Sequence, residues 1–164
     1  MLGGMHHRAL ARVASALLVG GALLATSVAA RPLRPEEQAR IAAQPPTTVV
    51  ARLVNLGTPN AAHCGVLHVA VVMRYEVLRV ENDRPLYGPP GNTWDVIHGC
   101  PELPRAQYQA GSGNVTAFRV GDVHRMLVSQ NAPAGAPPSV IDMWPRTSSN
   151  RPLWAVRTDQ ASAP

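Results

Sequence analysis

Beyond residue 30, six histidine and cysteine side chains have the chemistry of metal ligands: His63, Cys64, His68, His98, Cys100 and His124. Imidazole nitrogen together with thiolate sulfur suits zinc or copper, so these residues form the first candidate site. Their spacing matches no close-set ligand motif: there is no CxxC and no HExxH. His63 and His68 differ by an odd number of positions and would point to opposite faces of a regular strand. Side chains from separate strands can still converge, so metal binding through His63, His68, His98 and His124 stays open as the alternative reading. A second chemistry is general acid/base work by His98 or His124 with Asp95, Asp122 or Glu76. The chain has no GxSxG elbow and no phosphate-cradling glycine loop. Asp122 beside Gly121 reads as a turn residue. No catalytic residue is assigned on this basis, and no cofactor is expected.

Compartment decides how the cysteines behave. Arg8 and Arg12 precede an apolar run, Val13 to Leu24, and "TSVAA" follows with small residues. These are the three parts of a secretory signal peptide over residues 1–30, cleaved after Ala29 or Ala30. The apolar run is too short and glycine-interrupted to span a bilayer, so no stable membrane span is expected after cleavage. The expected location is periplasmic or secreted. There, Cys64 and Cys100 are the only two cysteines and are expected to form a disulfide. Closing a loop of that length stabilises the fold by roughly 3 to 4 kcal/mol in a chain-entropy model.

The basic residues are all arginine, and the composition, rich in Ala, Pro, Arg, Gly and Val, points to a GC-rich bacterial origin. After signal removal, thirteen arginines face ten acidic groups, leaving +3 in place of +5. The arginines are scattered singly with little aromatic interleaving, which excludes a nucleic-acid groove from the expected functions.

The elements that must position these residues are strands. Residues 31–46 form a short N-terminal segment, with Pro35, Glu36 and Glu37 at a helix start and Pro45 and Pro46 at its end. Thr47 to Leu56 is β-branched and reads as the first strand. From Leu67 to Val80, Leu67, Val69, Val71, Met73, Tyr75 and Val77 share one face, while His68, Ala70, Val72, Arg74 and Glu76 share the other. Leu78 and Val80 break that alternation, which calls for a bulge near Val77. "TWDVIHGC" is a short strand with Trp94, Val96, His98 and Cys100 on one face. "PELPRAQYQAGSG" is a short helical or turn excursion. Val115 to Val120 and Val123 to Val128 read as a hairpin around Gly121 and Asp122. Residues 131–138 are a proline-rich loop, "PLWAVRT" is a last strand, and residues 159–164 are a disordered tail. The expected fold is mainly β: a small antiparallel barrel of five or six strands over residues 47–158, with a short helical excursion.

The strings "VVARLVNL", "VLHVAVVMRYEVLRV", "TWDVIHGC" and "FRVGDVHRMLV" cover roughly Thr47 to Val128. In that order they resemble the exported OB-fold modules of the netrin-like and metalloproteinase-inhibitor-like group. Phe118, Gly121, His124, Leu127 and Val128 make up the last of these patterns. The resemblance implies an OB-like barrel. Inhibitors of that group chelate an enzyme's zinc through an amino-terminal cysteine. A mature chain starting at Ala30 or Arg31 lacks one, so that activity does not carry over.

Among the aromatic residues, Trp144 in "DMWPR" and Trp154 in "PLWAV" lie in a proline-rich region with little regular pattern. Exposed there, they would present a ligand or partner surface. The expected function is therefore an exported, disulfide-stapled, non-catalytic binding or structural module whose partner is a protein, peptide or envelope component.

Overall fold

A computed structural model describes residues 34–57, 64, 68–81, 91–144 and 151–164. Residues 1–33, on which the signal-peptide expectation falls, His63, Leu67 and residues 145–150 lie outside the described residues.

Helix α1, Pro35–Ala42, starts on a proline whose missing N–H costs nothing there. Glu36 and Glu37 in its first turn and Arg40 in its last complement the helix dipole. Beyond the proline pair the chain enters β1, Thr47–Asn55, and then β2, Val69–Val80. Next come β3, Thr93–Gly99, the single-turn α2, Arg105–Tyr108, and β4, Val123–Ser129. The three-residue β5, Ser139–Ile141, and the nine-residue β6, Leu153–Ala161, complete the order.

Five strands close a ring, β1–β2–β3–β6–β4 and back to β1, and β5 pairs outside it with the start of β2. The mainly β barrel is as expected, but its strands are not all antiparallel. β3 and β6 run parallel through Val96↔Leu153 and Ile97↔Trp154, and β2 and β5 run parallel through Val69↔Ser139 to Val71↔Ile141. The first exception is forced by counting. Directions cannot alternate all the way around a ring with an odd number of strands, so one neighbouring pair must be parallel.

β2 serves two neighbours on one edge, β5 beside Val69 to Val71 and β1 beside Arg74 to Val80. Its bulge lies where the alternation broke. Val50 pairs with Arg79 while Ala51 pairs with Val77, so Leu78 is the extra residue. Inward positions of every ring strand meet in one apolar core: Val49, Ala51 and Leu53; Met73 and Tyr75; Trp94 and Val96; Met126 and Val128; and Leu153.

Three local expectations are corrected. Residues 115–122 form bends and a turn rather than a strand. β4 already has both edges paired, with β1 and with β6, so no edge remains for a hairpin partner. Residues 159–161 belong to β6, where they pair with Val123 to Arg125. β5 follows directly on the proline-rich loop, and its exposed and half-buried residues carry no apolar alternation to announce it.

Cys64 and Cys100 are joined, with S–S 2.00 Å and Cα–Cα 5.4 Å across 36 positions of chain. The bond ties the segment before β2 to the end of β3. The 101–122 segment that follows crosses one end of the barrel. It is fastened to β6 at Gly113, a residue with φ of 116°, where a side chain would collide with the Thr158 backbone. Thr158 N donates to Ser112 O at 2.9 Å and Asn114 N donates to Thr158 O at 3.2 Å.

Candidate functional site

Strand parity sends three polar rings inward with the apolar core: Tyr75 from β2, His98 from β3 and His124 from β4. Their exposures are 0, 1 and 0 %. The Tyr75 hydroxyl lies 3.1 Å from His98 Nε2 and 3.3 Å from His124 Nδ1. Phe118, from the segment crossing the barrel end, packs at 58° to the His98 ring and edge-on, at 83°, to the His124 ring, with centroids 4.7 and 5.3 Å away.

Arg105 of α2 is buried beside this group at 3 % exposure. Its guanidinium donates to Gly99 O at 2.8 Å, to Leu103 O at 2.9 Å and to Cys100 O. It sits between the Tyr108 ring at 4.8 Å and the Phe118 ring at 5.3 Å. Arg105 thereby gathers the turn after the disulfide and fixes Phe118 over the histidines.

Burial sets the charge states. It drives the Tyr75 hydroxyl well above its usual pKa of 10.0, an effect that Arg105 opposes and Asp122 reinforces. Burial first, then Arg105 and His124, holds His98 well below 6.5. Burial lowers His124 to about 4 against the opposing pull of Asp122. Arg105 falls to about 10, mainly through burial, and stays charged at neutral pH. The cluster at pH 7 is thus two neutral imidazoles and a protonated phenol.

A phenol has one proton, so it can donate to one imidazole and must accept from the other. The result is a directed chain with one imidazole donating to Tyr75 Oη and the other accepting its O–H. The outer nitrogens, His98 Nδ1 and His124 Nε2, have no hydrogen-bond partner, and neither has Arg105 Nε. Whichever way the chain runs, one outer nitrogen is an unpaired donor and the other an unpaired acceptor.

The acid/base pairs expected from the sequence do not assemble as drawn. Asp95 and Glu76 sit on the outer face of the sheet. Asp95 accepts from Arg74 Nε and Nη2 at 2.8 and 3.1 Å, and Glu76 accepts from Arg52 at 2.8 Å. Asp122 alone of the three acts electrostatically on the buried rings. The four histidines do not form one ligand set either. His68 is exposed just before β2, His98 and His124 are interior, and His63 lies outside the described residues. Among the described residues, the only His, Cys, Asp or Glu trio with ligand atoms within 4.8 Å of one another is Cys64, Cys100 and Glu102. Its two sulfurs are bonded to each other, so neither is a thiolate ligand.

The tryptophans build a second site on the outside. Trp144, just beyond β5, and Trp154, in β6, pack together with Ala70, Val72 and Ile97 on the outer face of β2 and β3. Both are half-buried rather than fully exposed, because those small and β-branched side chains form a bed beneath them. The Arg74 guanidinium lies 4.5 Å from the Trp144 ring centroid, held in place by Asp95. Asp142 Oδ1 accepts the Trp144 backbone N–H at 3.1 Å. Val140 of β5, at 40 % exposure, and Met143 just beyond it, at 63 %, add exposed apolar side chains on the same stretch of chain as Trp144.

Sequence reasoning missed Tyr75 and Arg105 as partners of the histidines. Tyr75 was marked only as a core residue. The usable signal was parity: His98 shares a face with Trp94 and Val96, and His124 shares one with Met126 and Val128. Two imidazoles sent into one core need a polar partner there, and Tyr75 is the inward residue able to bridge them. Comparison of the chain with protein-family models, curated proteins and solved structures returned no match.

Proposed function

We propose that this chain is an exported, non-catalytic binding module, an OB-like barrel that presents Trp144 and Trp154 to a protein, peptide or envelope component. The observation that carries the reading is the convergence of these two residues, from separate parts of the chain, on the outer face of β2 and β3. OB-type barrels bind ligands on the face of their second and third strands. Half-buried tryptophans backed by a rigid bed, with an arginine stacked on one of them, make a preorganised contact surface with little side-chain entropy left to lose. The closed five-stranded ring and its long, bulged second strand support the OB-like assignment. The disulfide and the tripartite start of the sequence support export.

The interior cluster argues against catalysis as the main activity. Its imidazoles and phenol are sealed from solvent, and a general base must reach its substrate. The test is capture of isolated envelope material, peptidoglycan and membrane fractions separately, by the wild type and by Trp144→Ala and Trp154→Ala. Both variants are expected to lose capture while keeping a cooperative unfolding transition. Undiminished capture by both would remove the tryptophan face from the proposal.

A further inference from the structure

We propose that the His98–Tyr75–His124 chain is an acid-operated latch: at neutral pH it holds Phe118 over the barrel end, and it lets go when both imidazoles carry a proton. The argument begins with the hydrogen-bond inventory. The first proton goes to the unpaired outer acceptor, on the imidazole that already donates to Tyr75. That imidazole keeps its N–H···Oη bond, so the chain survives one charge. A second proton converts the other imidazole into a donor as well. Tyr75 Oη then faces two N–H groups, and its own proton has no acceptor except the Met73 sulfur, 4.0 Å away. Release is therefore a two-proton event.

The surroundings work in the same direction. The groups facing the cluster are Arg105 from α2, Asp122 ahead of β4, and the two rings themselves. Tyr108 and Glu102 act on the cluster only through Arg105. The buried residues that β1 and β6 supply carry no titratable group: Val49, Ala51, Leu53 and Leu153 are apolar, and Thr47 and Thr158 do not ionise. Two imidazoliums would join Arg105 as three cations with Asp122 as the acid acting on them. Phe118 is the ring between them and water. The stretch that carries it is tethered on both sides, by Asn114 N to Thr158 O at 3.2 Å and by Gly121 N to Leu53 O at 2.8 Å. Between these tethers residues 116, 117, 119 and 120 are exposed. The flap can swing while the ring of strands stays closed.

The direction with pH follows from linkage. An unfolded or opened imidazole takes its proton near 6.5, whereas His124 in the closed barrel takes it at about 4 and His98 also lies well below 6.5. The open state binds more protons across that window. The closed state is therefore fully stabilised above pH 6.5 and loses that advantage as pH falls toward 4.

The experiment follows the disulfide-intact protein by near-ultraviolet circular dichroism and by imidazole proton resonances between pH 7.5 and 3.5. The expected result is one tertiary transition with an uptake of about two protons, in which the His98 and His124 resonances move together. His98→Gln and His124→Gln each retain a hydrogen-bonding group but remove one titration. Each is expected to shift the transition down by at least about one pH unit and to flatten it to a single proton. A transition that persists unshifted in the double variant belongs to carboxylates and overturns the proposal. So do wild-type resonances that titrate independently with no change in tertiary signal, a result that needs no variant to fold.

Discussion

β3 is buried on both faces, and the two faces handle polarity in opposite ways. Inside the barrel, Trp94, Val96 and His98 look onto a closed core where Tyr75 pairs with one nitrogen of each imidazole and the outer nitrogens stay unpaired. Outside, Asp95 and Ile97 lie beneath Trp154, Trp144 and Arg74, with solvent at the edge of the cluster. The inner face carries neutral rings and no ion pair. The outer face carries a full ion pair, because Arg74 keeps 33 % of its side chain exposed while Asp95 keeps 8 %. Access to water at one partner lets a charge pair form without the full desolvation cost of a buried one. Under the two proposals, the inner face is the place where stability and protonation are coupled, and the outer face the place where a ligand lands.

Three substitutions sharpen this contrast. Trp94→Ala empties the largest inward side chain of β3 and is expected to cost about 3 to 5 kcal/mol in denaturant unfolding. Tyr75→Phe keeps the shape but leaves both imidazoles without the hydroxyl between them. Its expected cost is about 1 to 3 kcal/mol, measured the same way at pH 7.5. Asp95→Asn, on the outer face, removes the charge from a pair with a partly hydrated arginine and is expected to cost about 1 kcal/mol or less. Its larger effect should be on ligand capture, through loss of Arg74 positioning over Trp144. If Asp95→Asn proved as destabilising as Tyr75→Phe, the distinction between the faces would fail.

The strand faces and the disulfide were legible because each rests on a local rule. Period-two alternation marks β2 from Val69 onward, and the break at Leu78 marks its bulge. Two cysteines have one intramolecular pairing. The parallel seam between β3 and β6 was not legible, since nothing in either segment states which strand will become its neighbour. β5 was missed because three residues held by backbone pairing to Val69, Ala70 and Val71 need no side-chain pattern of their own. The tryptophans stood out in the sequence as a pair, and both pack on the outer face of β2 and β3. Their half-burial depends on Ala70, Val72 and Ile97, all at least 47 positions earlier in the chain, and no local reading reaches that far.

The five-membered ring also has a bearing on the order in which the chain can fold. β6 follows every other strand in chain order, yet its place is in the middle of the sheet, between β3 and β4. Until residues 153–161 arrive, β3 and β4 each have a bare edge and the barrel cannot shut. A chain that emerges amino-terminus first thus has an unclosed sheet until its last strand fills the gap. The two-pair seam at Leu153 and Trp154 is where that closure is sealed, so late folding comes built into the strand order itself.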